Sequence, residues 1–365
     1  MTKCLGFSIY PEKSNMQEDI AYIHLAAKYG FKRMFTCFLS VELTKDELIK
    51  KYKPIIAEAN ALGIDVYVDV YPSFFTNMDI QLNDLSFFKS LGITGFRLDK
   101  SFSGVEESLL TYNPEKIKIE VNISNNTSYV QNIIDYQPNM ENLVGCHNFY
   151  PQQYSGLDEA FFITTTNKYK ELGLHTAAFV STSLGKIGPW DVSQGQPTLE
   201  RDRDLPIDLQ ARAMWASSKI DDIIIGNAYA SKEELLKLSK IEPSMVNLSI
   251  VIEENISDIE HSICFNELHF WRGDISNYMI RSTTSRNKYK NHIIKKRNCH
   301  SKINIGDVLI ANESYGIYAG ELQIALQPRD NPGHWNVVGT IPEIELFMLQ
   351  YITPWKKFIF RKVGK

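Results

Sequence analysis

Four times in the first half of the chain, a segment with helically spaced apolar residues ends in a glycine that a short apolar run follows. The four junctions are Tyr29-Gly30-Phe31, Leu62-Gly63-Ile64, Leu91-Gly92-Ile93 and Leu172-Gly173-Leu174. Glycine adopts the left-handed conformation that closes a helix, and a short β-branched or aromatic run is typical of a buried parallel strand. The pattern predicts a repeating unit of helix, glycine cap and strand.

Eight such apolar runs can be placed along the chain. The predicted strands are 4–10, 33–39, 65–71, 94–99, 116–123, 143–149, 175–182 and 221–228. Between them lie predicted helices such as 16–29, behind the cap signal Ser14-Asn15, and 45–62, behind Thr44. Because the order is strand then helix throughout, the sequence predicts an α/β fold, a (β/α)8 TIM barrel, over residues 1–243.

The βα rhythm stops near residue 246. Apolar and polar residues then alternate in 278–282, 307–310, 322–326 and 335–339, a period typical of antiparallel strands. A chain of 365 residues with 44% hydrophobic residues can form a second, smaller core. We therefore expect a compact, mostly antiparallel β domain over residues 246–365.

Charge and cysteine content exclude several classes of protein. The net charge is −4, and no basic tract is longer than Lys295-Lys296-Arg297, so neither nucleic acid nor a membrane surface is an expected partner. We expect a cytoplasmic protein, because the chain shows no signal-peptide pattern and no apolar run of spanning length. Five scattered cysteines without a CxxC pair predict neither a disulfide framework nor a zinc site.

Polar residues close several predicted strands, where a barrel has its active-site face. Asp69 closes the third strand and Asp99 the fourth, and alternation along the strands predicts that both point inward at corresponding heights. Two neighbouring carboxylates are what glycoside hydrolysis requires, so Asp69 and Asp99 are the predicted catalytic pair. The alternative is a structural role, in which Arg97 neutralises Asp99 in a buried ion pair.

Other polar strand ends are candidate substrate ligands. For Glu120 the alternative is a deeper position that only organises Arg97, and for His147 it is packing against aromatic residues. Glu42, just past strand two, is interpreted as the solvated start of a helix. The predicted ligands in the barrel are Arg97, Glu120, Asn122, His147, Asn148, Tyr150 and Asn227.

Two further regions attract attention. The connection 183–204 is long and rich in Gly and Pro, which is typical of a binding loop or lid. In the β domain, Arg272 and Arg281 could bind a phosphate or carboxylate, or they could hold the domain to the barrel.

No phosphate loop, dinucleotide fingerprint or His-Glu-x-x-His motif occurs, so neither a metal nor an organic cofactor is expected.

Taken together, several stretches of this sequence resemble the 6-phospho-N-acetylmuramidase family from end to end. They are Leu5-Gly6-Phe7-Ser8-Ile9-Tyr10-Pro11, Gly95-Phe96-Arg97-Leu98-Asp99, His147-Asn148-Phe149-Tyr150-Pro151, Gly188-Pro189 with Pro197-Thr198-Leu199-Glu200, Ile280-Arg281-Ser282-Thr283, and Gly306-Asp307-Val308-Leu309-Ile310 with Gly320-Glu321-Leu322-Gln323-Ile324. The resemblance implies a TIM barrel followed by a cyclophilin-like β domain. It also implies a cytoplasmic glycosidase of cell-wall recycling.

The substrate implied by the resemblance is a phosphorylated amino-sugar disaccharide, N-acetylmuramic acid 6-phosphate linked to N-acetylglucosamine. Its phosphate and lactyl carboxylate would give Arg272 and Arg281 a purpose. Two departures from the family pattern lie beside the predicted site: Gln196 where Leu is expected, and Lys100-Ser101-Phe102 where a Gly-Phe ending is usual. They bear on which phosphorylated sugar is preferred.

Other functions remain open at this point. One is hydrolysis of a different 6-phosphorylated glycoside. Another is a barrel isomerase or aldolase, for which Lys100 is the nearest lysine to a strand end. A third is a non-enzymatic carbohydrate-binding protein. The sequence predicts neither the oligomeric state nor whether the anomeric configuration is retained.

Overall fold

Eight parallel strands form a closed barrel in the computed structural model, which describes residues 2–39 and 43–363. Each strand pairs with the next, and β8 pairs with β1. Glu42 lies outside the described residues. The strands are β1 Leu5–Ser8, β2 Arg33–Cys37, β3 Asp65–Val70, β4 Gly95–Leu98, β5 Lys118–Asn122, β6 Leu143–Cys146, β7 His175–Val180 and β8 Asp222–Ile225. Every predicted barrel strand is confirmed, with ends a few residues shorter.

Helices follow the strands as the repeating pattern predicts. A short 3-10 segment, Glu200–Asp202, lies in the long connection after β7. No helix among the described residues is long and apolar enough to cross a membrane. The helices are α1 Met16–Lys28, α2 Lys45–Ala61, α3 Pro72–Asn77, α4 Ser86–Leu91, α5 Val105–Leu110, α6 Tyr129–Asp135, α7 Glu159–Lys170, α8 Ile207–Ala216 and α9 Lys232–Ser239.

The glycine caps account for the sharp returns from helix to strand. Gly30, Gly63, Gly92 and Gly173 have φ of +81°, +71°, +87° and +77°, a region that side chains with a Cβ rarely adopt. At the opposite ends, Asn15 caps α1, and Thr44 forms a capping box with Glu47 on α2. Local sequence signals therefore mark the ends of several of the helices that surround the barrel.

A layer of buried ion pairs fills the barrel near its amino end. Arg33 binds Glu120 through Nη2 and Asp222 through Nη1, and its guanidinium lies 3.9 Å from the centre of the Tyr67 ring. Asp222 also accepts from His175 Nε2 at 2.8 Å. An apolar cluster of Phe35, Cys146, Ala177, Phe179 and Ile224 packs in the interior as well. The Arg33 guanidinium thus compensates part of the negative charge of two buried carboxylates.

The chain divides into two compact units. The first ends at Ile241, and the second begins at Glu242 and also includes the short segment Trp215–Ser217. Its seven-stranded sheet has the order β10-β17-β9-β16-β13-β14-β11. All pairs are antiparallel except β9 with β17. The two edge strands, β10 and β11, approach each other, because Arg272 N, just past β10, donates to Arg281 O on β11 at 3.0 Å. The sheet is therefore nearly closed.

The sheet contains the four segments with alternating polarity. A separate two-stranded ribbon joins β12 and β15. The domain bounds 1–243 and 246–365 stay predictions. The elements are β9 Val246–Ile252, α10 Asp258–Phe265, β10 His269–Phe270, β11 Met279–Ser282, α11 Thr284–Lys288, β12 Lys302–Ile303, β13 Asp307–Ala311, β14 Leu322–Ala325, β15 Arg329–Asp330, β16 Trp335–Thr340 and β17 Lys357–Lys362, with 3-10 segments Glu313–Tyr318 and Glu343–Tyr351.

Replacing the capping glycine of α4 should destabilise the barrel. In Gly92→Ala the new Cβ would lie 2.3 Å from Asn60 Nδ2, which donates to Gly92 O at 2.8 Å. We expect a loss of about 2–3 kcal/mol in the free energy of unfolding, measured by urea denaturation. Gly30→Ala is the matched control, because its φ is similar but a Cβ there meets nothing within 4 Å, and it should lose only about 1 kcal/mol. Equal losses would show that the Asn60 contact contributes nothing.

Candidate active site

A pocket of about 230 Å³, here called the Arg97 pocket, opens at the carboxyl ends of the barrel strands. It brings together five of the residues predicted from the sequence, including both candidate carboxylates. The remaining lining is apolar or aromatic apart from the thiol of Cys37. The lining residues are Cys37, Leu39, Asp69, Arg97, Asp99, Asn148, Phe149, Tyr150 and Trp190.

Arg97 connects the two candidate carboxylates. Its Nη1 donates to Asp69 Oδ1 at 2.9 Å and to Asp99 Oδ1 at 3.1 Å. The sum of these distances, 6.0 Å, is the largest separation that the two oxygens can have. Arg97 Nη2 donates to Asn148 Oδ1, whereas its Nε has no acceptor among the described residues. The side chain is almost fully buried, so its charge acts on these partners and not on solvent.

The register of the strands differs from the prediction. Asp69 on β3 lies opposite Arg97 on β4, and Asp99 comes two residues later, just past the end of β4. The expectation that Asp69 and Asp99 stand at corresponding heights was therefore wrong. The two carboxylates meet because Arg97, between them in height, reaches both.

Their different depths give the two carboxylates different chemistry. The Asp69 side chain is 4% exposed, and burial raises its pKa to about 7, because Arg97 only partly offsets the loss of hydration and Asp99 adds a like charge. The Asp99 side chain is 25% exposed, and water reaches it. Near neutral pH, Asp69 is thus able to carry a proton beside a more exposed carboxylate.

Ser124, just past β5, holds the loop that presents Asn148. Its hydroxyl accepts from Asn148 N at 2.7 Å, and Thr198 Oγ1 donates to Asn148 O at 2.8 Å. The amide oxygen of Asn148 is thereby fixed beside Arg97. Tyr150 is half-buried near this cluster, and burial raises the pKa of its phenol.

His147 is placed differently from the predicted proton carrier or ligand. It is fully buried, with Nδ1 3.2 Å from Ser124 Oγ and Nε2 2.8 Å from Thr166 Oγ1, and its ring packs on Phe162. Burial and the nearby Arg97 lower its pKa to about 3. Because neither nitrogen can reach a ligand, the packed alternative describes His147, and it positions Ser124.

Glu120 and Asn227 also lie away from any ligand. Glu120 is fully buried, and its Oε2 accepts from Arg33 in the charged layer, so it does not organise Arg97 as the alternative proposed. Asn227 uses its amide within the protein, accepting from Thr182 N at 3.0 Å and donating to Gly185 O at 2.9 Å. Both predicted ligand roles are corrected to structural ones by this geometry.

Asn122 lies at the edge of a second pocket. Its Nδ2 donates to the backbone oxygen of Asp99 at 3.3 Å, and its Oδ1 accepts from Ser124 N at 2.9 Å. This second pocket, here called the Lys100 pocket, has a volume of about 430 Å³. It is lined by Asp99, Lys100, Ser101, Asn122, Asn125, Thr127 and Tyr129. Since Asp99 lines both pockets, they are neighbours.

The two arginines of the β domain share one carboxylate. Arg272 Nε lies 2.9 Å from Asp274 Oδ1, and Arg281 Nη2 lies 2.7 Å from Asp274 Oδ2. Both are partly exposed. Their role as ligands of a phosphate or carboxylate stays a prediction.

Sequence reasoning missed part of the aromatic lining. Trp190 belongs to the long connection after β7, and the signal that could have found it is its position directly after Gly188-Pro189 in that loop. Phe149 stands between two predicted ligands and packs edge-on against Phe35 and Phe179. Among residues 2–39 and 43–363, no group of three or more His, Cys, Asp or Glu side chains could hold a metal ion.

Comparison with known families agrees with this architecture. A family model described as 6-phospho-N-acetylmuramidase, N-terminal, matches residues 5–240, and one described as 6-phospho-N-acetylmuramidase, C-terminal, matches residues 246–361. The chain belongs to the 6-phospho-N-acetylmuramidase family. The resemblance noted in the sequence is thus confirmed. The names of the two family models indicate a glycoside hydrolase for a phosphorylated muramic sugar.

Two solved structures that cover nearly all of this chain are titled as proteins without a known function. An uncharacterized B. cereus protein is 43% identical, with a TM-score of 0.91, over 99% of this chain and 100% of that chain. A conserved protein of unknown function from a locus in Enterococcus faecalis is 24% identical, with a TM-score of 0.70, over 99% of this chain and 97% of that chain; this likeness shows the fold alone. No curated protein matches the chain.

The buried His147 should make the protein less stable in acid. Its pKa is about 3 when folded and 6.5 when unfolded, so between these values the unfolded state binds the proton. Its contribution to the free energy of unfolding should fall by up to about 1.4 kcal/mol per pH unit as the pH decreases through that range. In His147→Gln this component is absent, so the stability gap between wild type and variant should narrow from pH 7 to pH 4 in urea titrations. The control is His300→Gln, which replaces an exposed histidine. If the difference in free energy of unfolding between wild type and His147→Gln stays constant from pH 7 to pH 4, the assignment is wrong.

Proposed function

We propose that this protein hydrolyses the glycosidic bond between N-acetylmuramic acid 6-phosphate and N-acetylglucosamine. The observation that carries the proposal is the pair of carboxylates, Asp69 and Asp99, held by Arg97 at the carboxyl ends of the barrel strands. Two carboxylates within a few ångströms of each other can flank one glycosidic bond. Membership of the 6-phospho-N-acetylmuramidase family supports the choice of sugar.

In the proposed mechanism, Asp69 is the general acid. Burial raises its pKa to about 7, so it holds a proton near neutral pH and can give it to the oxygen of the leaving sugar. Asp99, the more exposed carboxylate, acts on the anomeric carbon either directly or through an activated water. Arg97 is a positioning residue that keeps the two oxygens within reach of the same bond.

The lining of the Arg97 pocket suits a sugar ring. Phe149, Tyr150 and Trp190 offer apolar ring surfaces, on which the C–H faces of a pyranose can pack. The fixed amide of Asn148 offers a directed polar contact next to the carboxylates. Aromatic surfaces beside a small number of directed polar groups are typical of a small-molecule site.

The proposed setting is the cytoplasm, where the sugars of the cell wall would be recovered during peptidoglycan recycling. This part of the proposal depends on the family and its implied substrate. Fractionation of the producing cells, with an antibody against this chain, would check the compartment. Recovery of the protein from the wall or medium would contradict it.

The first test is incubation of the purified protein with the disaccharide in phosphorylated and unphosphorylated forms, with EDTA present. We expect cleavage of the 6-phosphorylated form alone, because the family name specifies a phosphorylated sugar, with the two monosaccharides as products detected by mass spectrometry. Cleavage of neither form would favour a different 6-phosphorylated glycoside or a carbohydrate-binding protein. Binding without cleavage would select the latter.

Substitution of either carboxylate should abolish most of the turnover without unfolding the protein. Asp69→Asn and Asp99→Asn should each lower kcat by about 100-fold or more. Because Asp69 must be protonated to act, wild-type kcat should decrease as the pH rises above about 7, and the residual activity of Asp69→Asn should lack this decrease. Asp65→Asn, on the same strand but exposed at the amino end, is the matched control and should retain wild-type kcat. Near-normal turnover of Asp69→Asn or of Asp99→Asn would exclude the substituted residue from the mechanism.

A further inference from the structure

The Lys100 pocket opens directly beside the proposed point of cleavage. Asp99 forms part of its wall and part of the wall of the Arg97 pocket. Asn122 ties the two together, because its amide donates to the backbone oxygen of Asp99. The Lys100 pocket therefore lies within reach of a substituent on a sugar bound at the carboxylates.

The cations of the two pockets differ in whether a carboxylate already pairs with them. Arg97, the cation of the first pocket, is already shared among Asp69, Asp99 and Asn148. Lys100 lies with Nζ 4.9 Å from the centre of the Tyr71 ring, and it has no carboxylate partner among the described residues. In contrast to Arg272 and Arg281, which share Asp274, Lys100 thus offers a free positive charge.

Neutral donors accompany this charge on two loops. Ser101 follows Lys100 after β4, and Asn125 and Thr127 lie between β5 and α6. A phosphate monoester has three terminal oxygens, each of which accepts hydrogen bonds, so it can use a lysine together with several hydroxyl and amide donors. A carboxylate, with two oxygens, would use fewer of these donors.

We propose that the Lys100 pocket binds the phosphate monoester of the substrate, with Lys100 as its charged partner and Ser101, Asn125 and Thr127 as hydrogen-bond donors. This proposal rests on the function proposed above, to which it adds the subsite that selects the phosphorylated sugar. Lys100 and Ser101 belong to the stretch that departs from the pattern expected in the family.

Binding can be tested without turnover, by isothermal titration calorimetry with three monosaccharides. N-acetylmuramic acid 6-phosphate carries both anions, N-acetylglucosamine 6-phosphate only the phosphate, and N-acetylmuramic acid only the lactyl carboxylate. In Lys100→Met, affinity for both phosphorylated sugars should fall about 10-fold or more, while affinity for N-acetylmuramic acid should not change. Lys100→Arg should retain most of the affinity, because it keeps the charge.

The matched control is Lys89→Met, which removes an exposed lysine from a pocket at the amino end of the same barrel. It should bind all three sugars as the wild type does. Equal affinities for wild type and Lys100→Met would overturn the proposal. The proposal would also be overturned if Lys100→Met lost affinity only for the two sugars that carry the lactyl group, or if the wild type bound no phosphorylated sugar.

Turnover then separates this inference from the proposed function. For the phosphorylated disaccharide, Lys100→Met should lower kcat/KM by about the same factor as the affinity, mainly through KM, since Lys100 is placed away from the reacting bond. If Lys100→Met loses affinity but the wild type cleaves nothing, the phosphate subsite stands and the proposed reaction fails. If the wild type cleaves and Lys100→Met keeps its kcat/KM, the reaction stands and the subsite fails.

Discussion

One buried guanidinium organises the candidate active site. Arg97 supplies a single positive charge to two carboxylates, so one negative charge in this cluster is left without compensation. A low-dielectric interior penalises such a charge, and the more buried carboxylate, Asp69, responds by holding its proton to a higher pH. In the proposed mechanism, this imbalance would let Asp69 serve as the general acid. Stability and chemistry are thus coupled through Arg97.

The rest of the barrel keeps this imbalance in place. Lower in the barrel, Glu120 and Asp222 bind Arg33, whereas the ion pairs of Arg97 are with Asp69 and Asp99. Phe35 and Phe179 pack under Phe149, which lines the pocket. Around the rim, Ser124 fixes the backbone of Asn148 and contacts the buried His147. A rigid frame of this kind fixes the distances on which proton transfer depends.

In the proposed function, the two neighbouring pockets would recognise different parts of one ligand through different chemistry. The Arg97 pocket presents aromatic surfaces and carboxylates, which suit a sugar ring and the cleavage of its bond. The Lys100 pocket presents a lysine and neutral donors, which suit an anion. Asp99 belongs to both, so an anion held in the second pocket would fix the sugar in the first. The phosphate contact would then strengthen binding of the substrate and of the transition state about equally, so its loss would increase KM.

The amino-acid sequence by itself determined the barrel, because eight apolar runs alternate with helices, and glycine caps and helix N-caps are local signals that mark the ends of several of these helices. It also singled out Asp69, Asp99 and Arg97, since polar residues at the carboxyl ends of barrel strands lie on the active-site face. Only the tertiary structure decided the rest: that Asp69 lies opposite Arg97, that His147 is sealed from any ligand, and that Trp190 joins the pocket. Periodicity fixes which face of a strand a residue occupies. The stagger between strands, the depth of burial and the path of a long loop depend on packing between residues far apart in the chain, and no local pattern encodes them.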